Sequence, residues 1–105
     1  MSFRILLLEQ VTEEDIPHLS KTDFERIARA IAQKLTAHPE IFGKPLRCAL
    51  KGNRSLRVGD FRVVYRIEGA TVKIFLIAHR SVVYERYQQR FMQKTTAFAG
   101  GHFYG

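Results

Sequence analysis

Apolar positions change their period twice along this chain. Residues 3–8, FRILLL, form a short apolar run that predicts a first strand, and the missing alternation toward its end predicts burial on both faces. A single turn of helix is expected over 13–19. From 21 to 38 the period becomes helical: Phe24, Ile27, Ile31 and Leu35 make an apolar stripe, with Arg26, Arg29, Gln33 and Lys34 on the other side. Thr22, followed three residues later by Glu25, reads as a capping box. Pro39 ends the helix, because proline disfavours helical geometry at the preceding His38.

Residues 46–79 read as strands, broken at KGN near 52 and at Gly59-Asp60. The stretch EGAT carries the most local information, since Gly69 and Ala70 fit a two-residue hairpin turn of type II′. Glu68 is then opposite Thr71, and an unbroken ladder puts Phe61, Val63, Tyr65 and Ile67 on the same face as Val72, Ile74, Leu76 and Ala78. The other face carries Arg62, Val64, Arg66, Lys73, Phe75, Ile77 and His79, with Arg62 opposite Ile77 and Asp60 opposite His79. The open end of this hairpin gathers Asp60, Arg62, His79 and Arg80, and RSLRVG alongside supplies Arg54 and Arg57. Beyond residue 80, Val83, Tyr87 and Phe91 recur at fourfold spacing, the pattern of a helix laid on the sheet, with Tyr84 near its start.

At 105 residues the chain is one domain long, and a domain of that size buries roughly 65% of its unfolded surface. We place the domain at 1–94 and read 95–105, glycine-rich and uncharged, as a loosely ordered tail. Seventeen Lys and Arg against ten Asp and Glu give a net charge of +7, which calls for an anionic partner. The acids cluster early and the bases dominate from Arg47 onward, so the C-terminal half is the expected contact surface.

The remaining composition excludes more than it suggests. Cys48 stands alone, so no intramolecular disulfide forms, and a reducing, cytoplasmic setting is expected. The four histidines, His18, His38, His79 and His102, have no metal-ligand spacing, so no metal and no cofactor is expected. ILLL is far too short to span a bilayer, which predicts no membrane partner. Neither a Ser-His-Asp arrangement, nor a catalytic carboxylate pair, nor a phosphate loop stands out.

The basic cluster does carry a chemistry. Arginine holds phosphate in a fork geometry and stays charged, so Arg62 and Arg80 can bind a phosphodiester and stabilise charge built up during its cleavage. When a ribose 2′-OH attacks its own phosphate, a protein has to orient the backbone and move two protons. His79, Tyr84 or a nearby lysine fits that duty, an imidazole being suited to proton exchange near neutral pH.

In order, GKPLR, LKG, RSLRVGDFRVVYRI and VKIFLIAHRSVVYE resemble the RelE/ParE toxin superfamily of bacterial toxin–antitoxin systems, over about residues 20–86. The resemblance implies an α/β (α+β) fold: an N-terminal strand, two helices, an antiparallel sheet and a C-terminal helix. RelE-like members cleave mRNA on the ribosome without a metal and are restrained by a cognate antitoxin. Carried over by motif, Arg62 in GDFRVVY and Arg80 in HRSVVY correspond to phosphate-holding arginines, and Tyr84 to the C-terminal catalytic tyrosine. Two features depart from the best-known RelE: the interval from Arg80 to Tyr84 is shorter, and Asn53 and Ser55 stand near the places of its paired lysines. Lys51, Arg54 and Arg57 are the expected substitutes in holding RNA, since phosphate contact needs charge within reach. The ParE branch implies an alternative on the same fold, inhibition of DNA gyrase without nuclease residues.

Overall fold

A computed structural model describes residues 2–46 and 52–93. A five-stranded sheet, ordered β1-β5-β4-β3-β2, is formed by β1 (Arg4–Leu7), β2 (Lys44–Pro45), β3 (Asn53–Val58), β4 (Phe61–Glu68) and β5 (Thr71–His79). The chain crosses from one edge to the other through helical turns at Val11–Asp15 and Ile16–His18, α1 (Lys21–Ala30) with a wider turn at Ile31–Leu35, and α2 (Pro39–Phe42). It then returns strand by strand, antiparallel throughout, until β5 meets β1 in parallel. The last described element is α3 (Val83–Gln93).

The α1 segment and α3 take opposite faces. Ile27 and Leu35 pack with Leu56, Val58, Val63, Tyr65, Ile74 and Ile77 in the larger core, whereas Val83 and Tyr87 of α3 close a second core over Val64, Leu76 and Ala78. Burying each such aliphatic side chain contributes about 1.5–3 kcal/mol. Several local expectations shift. The helix is capped by Ser20, whose hydroxyl accepts from the Asp23 N–H at 3.0 Å, and Thr22 lies inside it. Phe24 begins the stripe but stays 41% exposed. Strand β1 is an outer strand, so Ile5, Leu6 and Leu7 are half-buried, and full burial arrives only at Leu8.

The hairpin register holds next to the turn and fails beyond it. Glu68 pairs with Thr71 and Tyr65 with Ile74, and Gly69 turns with φ +60°. Val64, however, pairs with Leu76, which leaves Phe75 as an extra residue in a β-bulge. Every pair after it is offset by one: Arg62 faces Ala78, and Phe61 faces His79. Leu76 and Ala78 therefore turn to the α3 side, while Ile77 and His79 turn to the α1 side, the reverse of the unbroken ladder.

Polar groups along this part of β5 are satisfied by a buried ion pair. Arg90 of α3 donates from both terminal nitrogens to Asp15, at 2.8 and 2.9 Å, and also to the Phe75 carbonyl at 2.8 Å. Asp15 Oδ2 accepts the Ile77 N–H at 2.9 Å. The clamp thus ties the helical turns after β1, the bulge in β5 and α3 together, at a stretch of β5 that the four-residue β1 does not reach.

On the α1 side, Tyr65 donates its hydroxyl to the Pro39 carbonyl at 2.6 Å. Burial pushes its phenol above the ordinary value of 10.0, against the lowering pull of Arg54. Gly43 lies directly against this phenol, where a Cβ would come within 1.9 Å of the Tyr65 oxygen.

Candidate nucleic-acid interface

The bulge decides which side chains share a face. Arg62 is half-buried on β4, and its guanidinium reaches the buried Ser55 hydroxyl at 3.4 Å, with no carboxylate partner among the described residues. Its cross-strand neighbours are Arg57 on β3 and Ala78 on β5. The ladder extends one further step through the Arg80 N–H, which donates to the Asp60 carbonyl at 2.8 Å. Strand alternation then assigns Arg80 the face of Ala78 and Arg62. Its side chain lies 3.7 Å from the Asp60 carboxylate, and both groups are about two-thirds exposed, so this pair is weak and open to exchange.

Tyr84 sits in the first turn of α3, immediately after Val83, which packs on the same core as Ala78 and Val64. The turn therefore lies over the Arg62 face. Tyr84 is 45% exposed, and nothing among the described residues hydrogen-bonds its hydroxyl. Alternation thus gives Arg62 and Arg80 one face of the sheet, and Val83 sets the first turn of α3, with Tyr84, over that face.

Two expected members are elsewhere. His79 is turned to the α1 side, edge-on to Phe61 at 5.5 Å between ring centres, with Nδ1 2.8 Å from the Ser81 hydroxyl. Arg54, also on the α1 side as the partner of Tyr65, donates to the Glu40 and Gly43 carbonyls, so it fastens α2 to the sheet. Lys51, like the 95–105 tail, lies outside the described residues.

The sequence reading missed what lies beneath α3. Asn53, buried, donates to the Tyr87 hydroxyl at 2.5 Å and accepts from Arg66 Nε at 2.9 Å. Ser55 is buried beside it and serves Arg62. The two residues near the expected lysines thus support the helix and the arginine. The signal was present in the alternation of Asn53, Ser55 and Arg57, which shares a face with Arg62. Among the described residues no three His, Cys, Asp or Glu side chains gather as metal ligands, and no helix is long and apolar enough to cross a membrane.

Comparison with known proteins places this surface in context. Residues 9–84 match the family described as the ParE toxin of the type II toxin–antitoxin system, parDE. Toxin RelE of Mycobacterium tuberculosis is 44% identical over 66 residues, covering 57% of this chain and 68% of that protein. Toxin RelG of the same organism is 44% identical over 54 residues, 50% of this chain, and the match spans only 62% of its length. The toxin–antitoxin complex RelBE2 of M. tuberculosis contains a chain that superposes with a TM-score of 0.69 at 28% identity, covering 76% of this chain and all of that one.

Proposed function

The chain belongs to the ParE toxin family of type II toxin–antitoxin systems, and from that premise we propose that it is a ribosome-dependent endoribonuclease that cleaves mRNA and is held in check by a cognate antitoxin. One observation carries the reading: Arg62 offers a half-buried guanidinium without a carboxylate partner among the described residues, on the face that alternation gives to Arg80 and beside the first turn of α3. In cleavage the 2′-OH gives up its proton to a solvent water as its oxygen attacks the adjacent phosphorus, and the bond to the 5′-oxygen breaks. Arg62 and Arg80 hold the non-bridging oxygens as their charge grows, and Tyr84 returns a proton to the leaving oxygen. Arg57 holds the flanking backbone. Primer extension on translated mRNA after induction is expected to show breaks at A-site codons that Arg62→Ala suppresses. Intact transcripts in growth-arrested cells would contradict the assignment.

A second reading has its own support. The matching family is that of ParE toxins, and Asn53 and Ser55 are buried near the places of the lysine pair. Inhibition of DNA gyrase is its content. Purified protein would then block supercoiling, and unchanged supercoiling at saturating protein removes this reading.

A further inference from the structure

A second cationic feature lies around the end of the sheet from Arg62. Where α1 meets the β3–β4 turn, Arg26, Arg29, Lys34 and Arg57 border an open recess of about 290 Å³. No Asp or Glu lines it, and none of the four cations is ion-paired among the described residues. An unneutralised group of this kind is costly to assemble, because like charges repel. Arg26 is nevertheless laid against the turn, 3.0–3.3 Å from where a Gly59 Cβ would sit, so glycine there leaves room for the guanidinium. Arg57 bends the same way, donating from Nε to the Gly59 carbonyl at 3.3 Å.

We propose that this recess binds the phosphodiester backbone of an RNA chain, continuing the track that starts at Arg62; the proposal rests on the reading of the protein as one that acts on RNA. Arg57 is the join, since it is the cross-strand partner of Arg62 and also borders the recess. Ala30 and Val58 are the only aliphatic side chains in the lining, which suits a backbone of repeating charge and gives an acidic peptide little apolar surface to bury. The sequence pattern alone presents Arg26, Arg29 and Lys34 as the outward face of an amphipathic helix.

The test uses a 20-residue 2′-O-methyl oligouridylate, which cannot be cleaved, titrated with purified protein by fluorescence anisotropy at several salt concentrations. Arg26→Gln with Arg29→Gln is expected to weaken binding about tenfold and to flatten the salt slope by about 1.4, from about 0.7 per lost phosphate contact. Arg26→Lys with Arg29→Lys should restore both. Arg29→Gln with Lys34→Gln, a second pair, should behave like the first. Unchanged affinity and slope in both glutamine pairs, with helical content intact, would overturn the proposal. Equal binding of polyglutamate, lost through the same substitutions, would also overturn it and mark an acidic-peptide surface. If RNA binding falls as expected but wild-type protein leaves translated mRNA intact, the recess stands and the nuclease reading fails. Cleavage with unaltered binding in the variants sinks the recess alone.

Discussion

Gly43 and Tyr65 show how tightly one residue can be set by another. With the phenol oxygen 1.9 Å from the site of a Cβ, Gly43→Ala has to push Tyr65 off the Pro39 carbonyl. Overpacking of this kind costs about 1–3 kcal/mol, read as a lower denaturant midpoint with unchanged slope. Tyr65 also predicts a pH dependence. Its folded-state value is raised by burial, so its contribution is fully present below the unfolded value of 10.0 and is lost as pH climbs through the folded one. Denaturant titrations from pH 8 to 11 should show stability falling at the alkaline end, with the Tyr65 part of that fall absent in Tyr65→Phe. The same variant should lose about 1–2 kcal/mol at pH 8, since the Pro39 carbonyl is left unpaired.

At the scale of elements, β5 and its bulge do the organising. The expected ladder was readable at the turn, where Gly69 and the Glu68–Thr71 pair stand among polar residues. It was not readable at IFLIA, residues 74–78, because strand alternation reports a face only where apolar and polar residues differ, and all five are apolar and buried. The existence of α1, β1, β3, β4, β5 and α3 was legible from apolar pattern, whereas the two-residue β2 at Lys44–Pro45 falls outside the expected strands and the Ser20 cap lay two residues from the expected one. The clamp that holds the bulge could not be anticipated, for Asp15 and Arg90 are 75 residues apart and only the packed chain brings them together. Removing one partner strands a buried charge. Arg90→Ala or Asp15→Ala should therefore cost about 3–5 kcal/mol, measured by urea unfolding, and the double variant should cost less than the sum of the two.

Over the whole molecule, part of the excess of seven positive charges gathers around the recess bordered by Arg26, Arg29, Lys34 and Arg57. The sequence expected Arg62, Arg80 and Tyr84 near one another; Arg62 and Ala78 are cross-strand partners, and α3 begins over the same core. Placing His79 among them followed from the unbroken ladder; the bulge exchanges His79 for Arg80 on the Arg62 face. The proposed cleavage thus relies on guanidinium groups and a phenol, with the imidazole on the other side of the sheet. Single-turnover cleavage of mRNA on programmed ribosomes, comparing wild type with Arg80→Ala and His79→Ala, tests that exchange. The account predicts a loss of about 100-fold for Arg80→Ala, roughly 3 kcal/mol of transition-state stabilisation, and a rate within about threefold of wild type for His79→Ala. A 100-fold loss in His79→Ala with Arg80→Ala near wild type would contradict it.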